Sequence, residues 1–147
     1  MIFLKVFIDA GPFIAVSNKD DSNHEDALRQ FTKIAGKKGT FFTSDYVLDE
    51  VLSFATRKTK NPEIVLSADK LIQESANIRL LKVDEEVFAN SKMFLRKYPK
   101  ILLSLTDWTS ATLAKRHAIP KIYSYDSDFD RLKSTGEFRR IRRVEIL

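Results

Sequence analysis

This sequence predicts an α/β fold, a three-layer sandwich with a mostly parallel central sheet flanked by helices. Three observations predict it. Short apolar runs of strand length alternate with longer segments of helical periodicity, several helical segments open on recognisable caps, and no repeat, low-complexity tract or Pro/Gly/Ser-rich linker interrupts the alternation. At 147 residues the chain is expected to form one domain over 1–147, long enough to bury most of its apolar surface in a single core.

The elements follow in order. Ile2 to Ile8 is an apolar strand closed by Gly11 and Pro12, with Pro12 set to open a helix at its first position. Ser22 with Glu25 three residues later is a capping-box pattern, and Ala27, Leu28, Phe31 and Ile34 follow at helical spacing. Gly36 and Gly39 bracket the end of that helix. Thr40 to Thr43 reads as a brief strand, and Ser44 or Asp45 caps a helix carrying Val47, Leu48, Val51, Leu52 and Ala55. Another helix follows Pro62. Ile78 to Val83 is the third strand, and Asp84, Glu85 and Glu86 open the next helix, where the helix dipole favours acids; Pro99 closes that region. Thr106 to His117 is helical, Lys121 to Tyr125 is the fourth strand, and Val144 to Leu147 is a fifth. In folds of this kind ligands bind outside the carboxyl ends of the strands, near the point where strand order reverses.

Composition excludes several classes. With 44% hydrophobic and 31% charged residues and only four Gly and four Pro, the chain is neither disordered nor fibrous. It has no cysteine, which excludes a disulfide framework, cysteine-held zinc or iron–sulfur clusters and thiol catalysis, and fits a reducing cytosol. The apolar opening from Met1 to Ile8 carries Lys5 and is too short for a signal-peptide core or a membrane span, so a cytoplasmic protein without membrane association is expected. Net charge is +5, and residues 131–147 hold most of it: Arg131, Lys133, Arg139, Arg140, Arg142 and Arg143 against Glu137 and Glu145 give +4. A local surplus of that kind favours a polyanionic partner, nucleic acid first, with a solvated tail as the plainer reading.

Asp9 follows the first strand and Asp126 the fourth, which puts both carboxylates on one rim of the sheet. Asp107 lies four, seven and eleven residues before Ala111, Ala114 and Ala118, so it shares a helical face with a stripe of small residues that lets the helix approach the sheet. An acid serving the dipole of its own first turn is the competing explanation. On the helix after the second strand Asp49 and Glu50 are adjacent. At about 100° per residue Glu50 lies nearer the apolar arc, by a margin too slight to choose between them. Carboxylates that converge repel one another: at about 4 Å each pair costs roughly 1 to 4 kcal/mol, and a cation or protonation relieves several at once. An all-oxygen set without Cys or a well-placed His favours Mg²⁺ or Mn²⁺ over zinc. Such an ion activates water and offsets charge on a phosphoryl oxygen, so with a basic patch nearby the natural reaction is phosphodiester hydrolysis.

Four segments, FIDAGPFIAV, TSDYVLDEVL, LSLTDWTSATLAKRHAI and YSYDSDF, resemble in order and spacing those of the PIN-domain nucleases, above all the VapC-type toxin ribonucleases, over essentially the whole chain. The resemblance implies a PIN-like sandwich with Asp9, Glu50, Asp107 and Asp126 as the metal-binding, catalytic acids and Asp128 as an outer or alternate ligand. It selects Glu50 over Asp49. It also implies that Ser124 supports the site by hydrogen bonding. Ala10 departs from the Thr or Ser common in the family after the first Asp, which weakens metal positioning while leaving the four acids in place. The implied function is a Mg²⁺- or Mn²⁺-dependent endoribonuclease acting on RNA, the toxin of a type II toxin–antitoxin pair, inhibited by an antitoxin protein and assembled as a homodimer. Two alternatives stand beside it: a housekeeping PIN nuclease without an antitoxin, and a non-catalytic RNA- or protein-binding module. Against the last, a degenerate site that keeps four acids keeps their repulsion without benefit.

The pairs Arg139-Arg140 and Arg142-Arg143, interleaved with Phe138, Ile141 and Val144, are candidates for RNA phosphates; charge protection of an edge strand explains them nearly as well. Asp84 reads as a helix cap, Asp20, Asp21 and His24 as capping and solvated groups, and His117 as a helix-end residue. Trp108 reads as core, with base stacking beside Asp107 as the competing reading.

Overall fold

The computed structural model describes residues 4–36 and 39–147. Its elements run β1 (Leu4–Ile8), α1 (Ala10–Ser17), α2 (His24–Gly36), β2 (Gly39–Ser44), α3 (Asp45–Thr59), α4 (Pro62–Glu74), β3 (Ile78–Leu81), α5 (Glu85–Lys97), α6 (Leu105–Arg116), β4 (Lys121–Tyr123) and β5 (Arg142–Val144). Short 3-10 segments at Pro99–Ile101 and Ser127–Ser134 precede α6 and follow β4. The strands form one sheet in the order β3-β2-β1-β4-β5 with every pairing parallel. The predicted α/β sandwich with a parallel sheet is what forms.

Strand order positions the site. The chain winds outward from β1 through β2 to β3, then returns to add β4 on the other side of β1, so the reversal point lies between β1 and β2 on one flank and β4 on the other. Right-handed crossovers then put α1 to α4 on one face and α5 with α6 on the other. The packing agrees: α1 lies against α2, α3 and α4, and α5 against α6. Central strands covered on both faces must be apolar throughout, and Val6, Phe7, Ile8, Phe41 and Ile122 are fully or almost fully buried. Trp108 joins them at 1% exposure, packed near Phe94, Tyr98 and Phe138, so the indole is core and has no free face for a base. Gly39 opens β2 because a Cβ there would fall 2.5 Å from the Leu4 carbonyl oxygen of the neighbouring strand.

Several element ends differ from the sequence reading, each for a local reason. The strand expected from Ile2 is described from Leu4; Ile2 and Phe3 lie outside the described residues. Helix α1 begins at Ala10, so Pro12 is its third residue, still within the first turn where no N–H partner is lost. Helix α2 begins at His24 rather than after Ser22: Asp21 accepts from the Asn23 N–H at 2.8 Å and ends the preceding turn. β3 stops at Leu81 because the Val83 N–H donates to the Asp45 carboxylate at 2.9 Å instead of to a strand. β4 stops at Tyr123, two residues short of Tyr125. β5 is Arg142–Val144 and not Val144–Leu147, since the Leu147 N–H donates to Gln30 on α2 at 2.9 Å. Ala118 lies beyond α6 with φ 53° and is exposed, so only Ala111 and Ala114 of the small-residue stripe are buried. Among the described residues no helix is long and apolar enough to cross a membrane.

Candidate active site

The carboxyl ends of β1 and β4 open into a cleft of about 570 Å³ whose lining includes Asp9, Glu50, Asp107, Asp126 and Asp128. Each acid arrives for a reason visible in the local fold. Ile8 pairs with Tyr123, and the Asp9 N–H donates to the Tyr123 carbonyl at 3.0 Å, which sets Asp9 beside Ser124. Asp9 occupies the N-cap position of α1, yet its carboxylate makes no capping bond and belongs to the cleft instead. Ser44 caps α3 by accepting from the Val47 N–H at 3.1 Å, fixing the register that carries Glu50. Ser104 caps α6 by accepting from the Asp107 N–H itself, also at 3.1 Å.

Ser124 joins two of the acids. Fully buried, its hydroxyl donates to Asp9 Oδ2 at 2.7 Å and accepts from the Asp126 N–H at 3.0 Å. Asp126 Oδ1 in turn accepts from the Asp128 N–H at 2.9 Å. The other oxygen of Asp9, Oδ1, is buried and has no hydrogen-bond partner among the described residues. Buried polar atoms are nearly always paired, so an orphaned carboxylate oxygen marks an unmet electrostatic demand.

Proton affinities report the same crowding. Burial pushes the Asp9 carboxyl up, opposed by the Ser124 hydrogen bond and the neighbouring Ala10 backbone and reinforced by the Asp126 charge. Asp107 is pushed up to about 7, first by burial and then by the charges of Asp9, Glu50 and Asp126. Glu50 also rises to about 7, again by loss of water around its carboxyl and then by Asp9, Asp126 and Asp49. The Glu50 side chain lines the cleft and stays open to solvent. The acids thus feel one another without forming a closed cage: among the described residues no three His, Cys, Asp or Glu side chains are gathered as a ready ligand set. A cation bound among them would offset their mutual repulsion.

Other expected residues are placed as follows. Glu50 lines the cleft, whereas Asp49 is exposed outside it and accepts from Ser53 at 3.3 Å. Asp128 reaches the cleft but is paired with Arg131 at 2.9 Å. The basic patch is not beside the acids. Arg142 pairs with Lys121 at the entry ends of β5 and β4, and Arg139 and Arg140 precede it, so these exposed arginines stand at the far end of the sheet from the cleft. Ser104, missed in the sequence, was signalled by its own Ser-x-x-Asp pattern with Asp107 three residues on.

Arg143 has a different task from the one its sequence context suggests. Its guanidinium meets both oxygens of Asp130 at 3.0 and 3.1 Å, Glu145 at 2.8 Å and the Ser124 carbonyl at 3.1 Å. It is a clamp on the segment that carries Ser124 and Asp126, with its donors spent inside the protein. Arg143→Met is expected to lower stability by about 1.5 to 3 kcal/mol in urea unfolding. An unchanged unfolding midpoint together with weakened RNA binding would return Arg143 to the phosphate contacts.

Comparison with known proteins agrees with this geometry. The PIN domain family matches residues 6–134, most of the chain and all of the acids that line the cleft. A VapC ribonuclease of Archaeoglobus fulgidus is 29% identical over 98% of this chain and 96% of its own length. The crystal structure of Mycobacterium tuberculosis VapC20, a sarcin–ricin-loop-cleaving toxin, superposes with a TM-score of 0.76 at 25% identity, covering 85% of this chain and 92% of that one. VapBC2 from Rickettsia felis, solved bound to a DNA fragment from its promoter, shares the fold with a TM-score of 0.67 at 13% identity over 96% of this chain and 98% of that one. An all-parallel sheet whose reversal point carries acids at the ends of β1 and β4 and on α3 and α6, matched by the family over residues 6–134, places this chain in the PIN domain family.

Proposed function

We propose that this chain is an endoribonuclease dependent on Mg²⁺ or Mn²⁺, acting in the cytoplasm as the homodimeric toxin of a toxin–antitoxin pair and inhibited by an antitoxin protein. The observation that carries the reading is the buried, partnerless Asp9 Oδ1 in a cleft shared with four further acids. An all-oxygen donor set suits a hard cation, and Mg²⁺ is commonly held by only one or two carboxylates plus waters, so a preformed cage is not required. Asp9, Glu50, Asp107 and Asp126 would hold the ion, with Asp128 as an alternate donor once released from Arg131. Bound there, the ion supplies a coordinated water of lowered pKa and positive charge opposite a phosphoryl oxygen.

The chain's own residues do the rest. Ser124 fixes the rotation of the Asp9 carboxylate by donating to Oδ2, which leaves Oδ1 as the free donor. Its bond from the Asp126 N–H keeps the two strand-end acids in register. Glu50 reaches solvent at the cleft, where its carboxylate could hold the ion or accept a proton from water. The likeness to VapC ribonuclease and to a VapC toxin supports RNA as the substrate and the toxin role. In an assay on total RNA, discrete products with mapped ends are expected from the wild type with Mg²⁺ or Mn²⁺ and from neither the EDTA-treated protein nor Asp9→Asn. Equal cleavage by Asp9→Asn, or cleavage undiminished in EDTA, would remove the assignment.

A further inference from the structure

The cleft has a second chemistry beside its acids. Among the described residues, those lining it include Ile14, Phe54, Leu102 and Tyr125 and no Lys or Arg. A polyanionic substrate therefore meets no cationic side chain there, and what the protein's own side chains offer it beside the acids is apolar surface. Phe54 follows Glu50 by four residues on α3, so the ring and the carboxylate share one face of that helix. Phe54 is exposed although it is large and aromatic. Leu102 is 74% exposed and sits at φ 62°, the left-handed region a leucine rarely adopts, where a glycine would serve the turn better. Backbone strain held on an exposed apolar side chain at the mouth of a site is a recurrent mark of ligand contact. Tyr125, between Ser124 and Asp126, has its ring fixed by a 2.8 Å hydrogen bond from hydroxyl to hydroxyl with Tyr123.

We infer that Phe54 and Leu102 form a nucleobase-binding subsite that takes the unpaired base of a nucleotide flanking the scissile phosphate. The inference rests on the ribonuclease reading above and deepens it. A base within a duplex has both faces covered by its neighbours, so a base that engages this surface comes from a single strand or a loop. Continuity of the apolar residues with the acid-lined cleft selects a nucleotide as the occupant: a phosphate at the acids leaves its adjoining base within reach of the same wall.

The test uses a short single-stranded RNA whose cleavage position by the wild type has been mapped, and the same RNA with an abasic nucleotide on either side of that position. The wild type is expected to lose at least about tenfold in kcat/KM on one of the abasic RNAs, in keeping with base–aromatic stacking. Phe54→Ala is expected to lose a similar factor on the intact RNA and nothing further on that abasic RNA, while Phe54→Tyr keeps activity on both. Leu102→Gly should cut the intact RNA more slowly while unfolding at a higher temperature, because the strain is gone. The subsite is overturned if Phe54→Ala and Leu102→Gly cut the intact RNA at the wild-type rate, or if Phe54→Ala loses equally on intact and abasic RNA. A wild type that cuts no RNA with any divalent ion overturns the ribonuclease reading and the subsite together, whereas active but base-indifferent enzyme overturns the subsite alone.

Discussion

Asp107→Asn is expected to abolish RNA cleavage, lowering the rate by at least about 1,000-fold, and at the same time to stabilise the metal-free protein. Both effects come from one side chain. Asp107 is 8% exposed, and burial with three neighbouring acids pushes its carboxyl from 3.8 to about 7. Holding it charged at pH 8 costs the folded state up to about 4 kcal/mol, from about three pKa units at 1.36 kcal/mol each. Asparagine removes that cost and keeps nearly the same shape. The gain is reduced by roughly 0.3 to 1 kcal/mol, because an acid in the first turn of α6 also complements the helix dipole. Urea unfolding in EDTA at pH 8 should show the variant more stable than wild type, with the difference shrinking as pH falls and closing near pH 4. Cleavage at the wild-type rate would dispose of the catalytic role; lower stability at pH 8 would dispose of the electrostatic account of the site.

The second large effect is a reversal of pH dependence by metal. Raised carboxyl pKa values mean that folding favours the protonated acids, so their contribution is fully present below the unfolded values near 4 and is lost as pH rises through about 7. The metal-free protein should therefore lose stability steadily between about pH 4 and pH 7 and level off above that. At lower pH the opposite sign takes over: the Arg143 pairing lowers the Asp130 carboxyl, and the Tyr98 hydroxyl lowers that of Glu137, so stability is lost as both are protonated. A divalent ion binds the deprotonated acids, and its benefit grows over the pH range in which the metal-free protein weakens. Saturation at about 100 times Kd adds roughly 2.7 kcal/mol. Thermal unfolding from pH 5 to 8, with EDTA and with Mn²⁺ or Mg²⁺, should give curves that diverge with rising pH. Parallel curves would mean that the acids do not gather around an ion, and would favour a non-catalytic binding module.

Local chemistry explains which parts of this protein were legible in its sequence. Capping residues announce themselves by type and spacing, so Ser44 before α3, Asp84 before α5 and the helix after Pro62 stood out, and each cap bond forms. Strand interiors were legible because burial on both faces demands unbroken apolar runs. Strand ends were not. β3 and β5 stop where Asp45 and Gln30 capture backbone N–H groups 38 and 117 residues away in sequence, and no window of neighbouring residues contains that information.

The same division holds at the cleft. By itself the sequence determined that acids follow the first and fourth strands and that another lies in the first turn of a helix, and its resemblance to PIN nucleases implied that Glu50 joins them. Only the tertiary structure decided how those acids stand. It brought Ser124 between Asp9 and Asp126, tied Asp128 to Arg131, and left Asp9 Oδ1 without a partner. It also turned Arg143 inward as a clamp and carried Arg139, Arg140 and Arg142 to the far end of the sheet, where charge counted along the chain says nothing about proximity. The physical reason is that residue type and spacing encode local conformation, whereas burial, pairing and proton affinity depend on which distant segments the parallel sheet sets side by side.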